Sequence, residues 1–388
     1  MGRTRAGDRV VVRVGVGEDM RFLECERATV AKLLPGLDES LRAMPLRELE
    51  NPSGPGIELF RDSGGPGLLV PAARRGRGAT ALEALRVQRA LGGRAPSLAA
   101  ATALHHFSVA VLLAQAATEE GLWWMLAEEM AVDNRLVAFG FAEERADAGI
   151  LAPATTATVE PDGLRVGGVT CPRGLARSMD LLATGVMVPR LDGEPGEEPA
   201  VALVSAESES LSIDGAGTDG ERVTLHDVLV PPELLVTTPA PDGQPDPLTA
   251  GFAWFQLLTT GGCLGAADAM VERVLRDDRV PESERVGLLV EVEGAMSAAQ
   301  GVARRIDDGD TDESTLAHAL YVRYSVQDTL SRVVPRAVEL LGDLDSTTSD
   351  EVSRLAGCAN GLALHPPARD TMTGALVAYL IDGPLTIA

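Results

Sequence analysis

The chain has 388 residues, 45% hydrophobic and 23% charged, which is the balance of a globular protein too long for a single core of about 100 to 200 residues. Its formal net charge of −23 argues against the basic face that DNA, RNA or an anionic membrane would need, though a local arginine could still hold a small anion. Cys25, Cys171, Cys263 and Cys358 lie far apart with no CxxC or Cys/His cluster, which argues against structural zinc and a disulfide framework.

The opening stretch, MGRTRAGDRVVVRVGVGEDM, carries no apolar targeting core, and no uncharged apolar run of about 18 residues is read anywhere, so the expected address is the cytoplasm. From about Met20 to Met130 the apolar period is helical, in pieces such as ATVAKLLPGLDESLRAM and ATALEALRVQRALGG, with Ser97 and Thr118 as expected helix N-caps. This defines an expected all-α unit over 1–134. From Leu136 to about Val236 short alternating runs take over, separated by Pro161-Asp162-Gly163, Asp192-Gly193 and Asp219-Gly220 turn signals. A small β-sandwich or barrel over 135–240 is the expected second unit. After the Pro/Gly/Asp-rich linker at 237–251 helical periodicity returns, predicting a bundle of about four helices over 241–388.

Four stretches in this order carry a family likeness. They are FRDSGGPGLLVPAARRGRGATALEALRVQRALGGRAPSLAAATALHH (60–106), AFGFAEERADAGILAPATTATVEPDGLRVGGVTCPRGLARSMDLLATGVMV (138–188), GTDGERVTLHDVLVP (217–231) and GGCLGAADAMVERVL (261–275). Together the chain resembles the acyl-CoA dehydrogenases over roughly residues 20 to 385, with an α+β multidomain fold of helical, β and helical units. The resemblance implies FAD between the β unit and the C-terminal bundle, a homodimer or homotetramer formed through that bundle, and an acyl thioester of CoA or a carrier protein as substrate. It implies a flavoprotein oxidoreductase of CH–CH donors, with specialised metabolism as its expected setting. The alternative is a member that has lost FAD and serves as a non-redox enzyme or a binding or scaffold subunit.

The resemblance also assigns site residues. FAEERADAG (141–149) falls on the family's Thr-Glu-Pro-x-Ala-Gly-Ser-Asp signature, with Ala142 where the Thr faces the flavin and Ala148 where the Ser bonds the pyrophosphate. Glu143 is retained. Phe141, Ala142, Glu143 and Ala148 are therefore expected to hold cofactor through backbone groups, and Cys171, Pro172 and Arg173 fall on the family's aromatic wall beside the flavin, with Arg173 read as a cation near flavin or phosphate or as a hairpin arginine in solvent. Arg276, Arg279 and Arg285 stand near the place of the family's Arg-x-x-Phe-Gly, alongside the reading of a solvated loop.

The family's two positions for a catalytic Glu fall on Phe255 and Ala378, neither of which takes a proton. Asp382, Asp370 and His365 are the candidate replacements, each set against a plain role in capping or solvating a helix end or turn. His105-His106 read as interior or subunit-contact histidines with a cleft-facing role as the alternative. Cys171 beside Arg173 reads as a buried hairpin thiol or an activated nucleophile. The glycine runs lack the strand-turn-helix setting of a phosphate loop, and Trp123-Trp124 with Phe252, Trp254 and Phe255 are expected to fill interior space.

Overall fold

The computed structural model of the protein describes residues 20–118, 121–140, 155–172, 174–189, 196–215, 221–237, 246–342, 346–385 and 387. Before the first strand run α1 (Glu24–Leu33), α2 (Leu37–Arg42), α3 (Leu46–Leu49), α4 (Gly56–Asp62), α5 (Ala81–Arg94), α6 (Pro96–Thr118) and α7 (Leu122–Val132). A Thr-x-x-Glu capping box opens α5: Glu83 N–H donates to Thr80 Oγ1 at 3.1 Å and Thr80 N–H donates to Glu83 Oε2 at 3.1 Å. The two expected caps are corrected. Thr118 closes α6, and Ser97 lies just inside it, donating from N and Oγ to the Glu50 carboxylate at 3.0 and 2.6 Å. A carboxylate brought in from the end of α3 thus meets the N-terminal dipole of α6.

The expectation that no uncharged membrane-length run exists is also corrected. Helix α6 has 23 residues without Asp, Glu, Lys or Arg and is long and apolar enough to cross a membrane. Here its apolar stretch is mostly buried inside the protein, packed against α5 and α7. Its two histidines are interior, and His105 joins α6 to the turn at Pro66 and to Val137, the first residue of the first strand. Its Nδ1 accepts from Val137 N–H at 3.1 Å, so Nε2 carries the proton and donates to Pro66 O at 3.0 Å. Burial pushes its pKa down to about 4 and that of His106 well down too.

The strands are β1 (Val137–Gly140), β2 (Thr155–Glu160), β3 (Gly163–Thr170), β4 (Leu181–Pro189), β5 (Glu197–Ser205), β6 (Leu211–Asp214), β7 (Arg222–Val230) and β8 (Leu235–Thr237). They form two four-stranded sheets, ordered β1-β4-β5-β8 and β2-β3-β7-β6, with β1 parallel to β4 and the other pairs antiparallel. Pro161-Asp162 makes the two-residue hairpin that the sequence signals, pairing Glu160 with Gly163. The turns at 192–193 and 219–220 lie outside the described residues. Thr155 Oγ1 donates to Gly185 O at 2.6 Å and ties one sheet to the other. Arg61 on α4 binds Asp180 at 3.0 Å and the carbonyls of Asn134 and Ser178, which fixes the entry to β1 and β4 on the N-terminal helices.

The C-terminal helices are α8 (Pro247–Arg276), α9 (Glu282–Asp307), α10 (Glu313–Leu341), α11 (Ser346–Asn360) and α12 (Arg369–Leu380). Asp246 caps α8, accepting from Leu248 and Thr249 N–H at 3.4 and 3.0 Å with Pro247 in the first turn. Helices α8 to α11 pack together as the expected bundle; α12 lies outside it and buries only Met372. The glycines of α8 serve packing. A Cβ on Gly92 of α5 would lie 2.0 Å from Gly262 O, and one on Gly265 would lie 2.0 Å from Arg89 O. Only residues without side chains let α5 and α8 touch backbone to backbone.

Candidate functional site

Where α6, α8 and α11 converge, they enclose a cleft of about 150 Å³ together with the turn that follows α11. Ala99 and Ala100 of α6, Thr259 and Cys263 of α8, Cys358 of α11 and His365 of the turn line it. Thr259, Gly262 and Cys263 share one face of α8 at helical spacing, while Gly261 and Gly265 turn toward α5. Burial pushes the Cys263 thiol up to about 12 and the Cys358 thiol up to about 11. Both stay protonated at neutral pH, which removes them as nucleophiles.

His365 is held from behind by α10. The buried Arg323 guanidinium donates to Leu362 O and Pro366 O, both at 3.0 Å, to His365 O, and to Gln256 Oε1 at 2.5 Å. Tyr324 OH adds a bond to Pro367 O at 3.1 Å. Desolvation pulls the Arg323 pKa down to about 10, which leaves it charged at neutral pH, yet its acceptors here are all neutral. The His365 ring stands edge-on to Phe255 at 6.4 Å between centroids. Phe255 leads in turn to Phe107 at 5.9 Å and Phe107 to Phe139 of β1 at 4.8 Å. An aromatic ladder therefore joins the strand that runs into the signature segment to the cleft, and it passes through the position where the family's base would stand.

Two hydroxyls mark the β-sheet side. Gly140, the last residue of β1, pairs in register with Thr184, and a Cβ on it would lie 1.9 Å from Thr170 Oγ1. Thr170 and Thr184 are fully buried, and neither Oγ1 has a hydrogen-bond partner among the described residues. Buried hydroxyls are ordinarily satisfied, so these two, on strands interior to their sheets, leave unused polar capacity beside the end of β1. Cys171, half-buried, and Pro172, buried, follow Thr170 directly. The turn that follows brings Gly174, at φ 75°, against α6, where its Cβ would meet Ala101 at 3.3 Å. The wall that the sequence assigns to cofactor thus abuts the helix that lines the cleft.

Of the three candidate catalytic residues, His365 alone lines the cleft. Asp370 is exposed in the first turn of α12, and Asp382 is exposed beyond its end at φ 65°. The structure brings neither to the cleft, because α12 lies on the outside of the bundle. Phe141, Ala142, Glu143, Ala148 and Arg173 lie outside the described residues. Arg276, Arg279 and Arg285 engage Glu272, Asp277 and Asp278 nearby, as a solvated loop does. Arg323, Gln256 and Thr259 are not singled out by sequence motifs. A signal for the first exists: Arg323 interrupts the apolar stripe Leu316, Leu320, Val326, Leu330 of α10, where a charge needs a buried partner.

No family model matches the chain. Among solved structures it is similar to KijD3 in complex with FMN and a dTDP-linked amino sugar, with TM-score 0.75, 16% identity and coverage of 92% of this chain and 94% of that one. It is likewise similar to glutaryl-coenzyme A dehydrogenase in its glutaryl-CoA complex, with TM-score 0.73, 17% identity and coverage of 96% and 98%. The fold is that of the acyl-CoA dehydrogenases, as the sequence resemblance implies. Along the sequence the chain is 40% identical over 382 residues to isobutylamine N-hydroxylase of Streptomyces viridifaciens, across 95% of this chain and 100% of that protein. The chain belongs to the acyl-CoA dehydrogenase-fold flavoproteins, a family of oxidative enzymes.

Proposed function

We propose that the protein is a flavin-dependent monooxygenase that N-hydroxylates a small primary amine. The observation that carries this reading is the 40% identity to isobutylamine N-hydroxylase over nearly the whole of both chains. Bound reduced flavin would supply two electrons to O₂, so that amine, O₂ and reduced flavin give hydroxylamine, water and oxidised flavin. Thr170 and Thr184, whose buried hydroxyls have no partner among the described residues, and the Cys171-Pro172 wall that follows Thr170 fit such a group. FMN, the flavin of KijD3, and FAD, which the family resemblance implies, both suit this proposal. The backbone at Phe141, Ala142, Glu143 and Ala148, together with Arg173, is proposed to complete the flavin site.

His365 is proposed as the group that moves a proton at the substrate nitrogen, since the amine must be neutral to offer its lone pair. Acyl-thioester dehydrogenation is the less favoured reading. It needs a base beside the α-carbon, and Phe255, fully buried, occupies one family position for it. We propose in addition that the protein is cytoplasmic and homo-oligomeric, the latter supported by the exposed Val377, Leu380 and Ile381 on and after α12. The test is product formation from a primary amine with a supply of reduced flavin, read as hydroxylamine by mass spectrometry. An amine-dependent hydroxylamine supports the reading; flavin oxidation that yields only peroxide across a panel of amines rejects it.

A further inference from the structure

We infer that Thr259 is the anchor for the substrate nitrogen and that Ala99, Ala100 and Gly262 limit the substrate to a compact alkylamine. This rests on the function proposed above and narrows it to a size class and a named contact. The first observation is an unused hydroxyl. Thr260, its neighbour on α8, returns its Oγ1 to the carbonyl of Gln256 one turn back at 2.7 Å, the usual way for a helical threonine to satisfy itself. Thr259 makes no such bond. It is 4% exposed, its Oγ1 has no partner among the described residues, and the residue lines the cleft. A buried hydroxyl left unpaired is costly, so a ligand that supplies an N–H is favoured there.

The second observation is size. The cleft of about 150 Å³ matches the volume in which an apolar cavity of ~150 Å³ holds a six-carbon ring. At its inner end α6 and α8 converge so closely that a Cβ on Gly262 would stand 3.3 Å from that of Ala99. A cleft of this volume holds an amine of about five or six non-hydrogen atoms, whereas a nucleotide sugar or a long acyl chain exceeds it. The third is charge. Among the described residues that line the cleft there is no carboxylate, and the nearby Glu50 carboxylate already accepts from Ser97 N–H and Oγ. With Thr259 Oγ1 accepting one amine N–H, the nitrogen lone pair remains available for oxygen transfer and a second N–H is left for His365 to manage.

The experiment is calorimetric binding of n-alkylamines, from ethylamine to octylamine, to the full-length protein, run beside the hydroxylamine assay. Affinity is expected to peak at about four or five carbons and to fall by about tenfold or more at octylamine. Thr259→Val, which keeps the shape and removes the hydroxyl, is expected to weaken every amine by about tenfold, and Thr259→Ser to restore most of that. Cys358→Ala, which widens the cleft, is expected to move the optimum toward longer amines, a gain that misfolding cannot mimic. Affinity that climbs steadily to octylamine, or a Thr259→Val protein that binds as the wild type does, overturns the inference. The expected binding profile without any hydroxylamine would leave this site standing and reject the proposed reaction. Hydroxylation indifferent to Thr259 and to chain length would do the reverse.

Discussion

Among the described residues two arginines lie fully buried, and their surroundings could hardly differ more. Arg89 of α5 meets three carboxylates: Asp268 of α8 at 2.6 Å, Glu26 of α1 at 3.0 Å and Glu293 of α9 at 2.7 Å. Arg323 of α10 meets none of these and spends its donors on backbone carbonyls and Gln256. The Arg89 cluster holds four helices from both ends of the chain against one another. Its charge is over-compensated, and burial pushes the Asp268 carboxyl up to about 6 against the pull of the guanidinium. Arg323 instead organises one turn of chain. A guanidinium that donates to the carbonyls of residues 362, 365 and 366 fixes the path of the turn, and with it the place of His365. The first arginine secures the fold; the second shapes the cleft.

The contrast is open to attack, beginning with the largest effect. Arg89→Met strands three carboxylates, one of them wholly buried, and is expected to cost about 3–5 kcal/mol in denaturant unfolding. A loss under about 1 kcal/mol would mean that the cluster is solvated and not a staple. Next, Gly92→Ala forces a methyl to within 2.0 Å of Gly262 O and should cost about 1–3 kcal/mol by prising α5 from α8. Arg323→Lys keeps the charge but cannot fork across three carbonyls. It should cost about 1–2 kcal/mol in stability, while amine turnover falls by roughly tenfold or more as His365 loses its placement. Equal losses of stability and turnover in the Arg89 and Arg323 variants would erase the distinction between them.

The smallest effect concerns pH. Asp268 has a folded pKa of about 6 against an ordinary 3.8, so the native state binds the extra proton between those values. Its contribution favours folding below about pH 4 and is lost as pH rises through about 6. Stability measured across that window in Asp268→Asn should therefore fall less steeply with rising pH than in the wild type, by up to one proton's worth of slope. A steeper fall would show that the pull of Arg89 outweighs burial.

Much of the architecture is legible in the sequence because it follows from period and punctuation. The helical stripes, the alternating strands and the Pro161-Asp162 turn are local signals, and the order of the glycine-bearing stretches is enough to place the chain among the acyl-CoA dehydrogenases. His365 stands out because two prolines after it must break a helix, which puts it on a turn. Ser97 and Thr118 mislead as N-caps because a hydroxyl looks like a cap at either end of a helix, and only the arrival of Glu50 at Ser97 decides its use.

What tertiary structure alone decides are pairings between residues far apart in the chain. Sequence shows glycines at 92, 262 and 265, but not that they lie backbone to backbone across two helices. It shows Arg323 and Thr259, but not that one grips a turn about 40 residues away while the other lines a cleft between three helices. Asp370 and Asp382 read as well as His365 along the chain, and the outward position of α12 separates them. Periodicity records which face of an element is apolar; which neighbour covers that face, and which polar group it leaves without a partner, is settled by packing among segments that the chain order keeps apart.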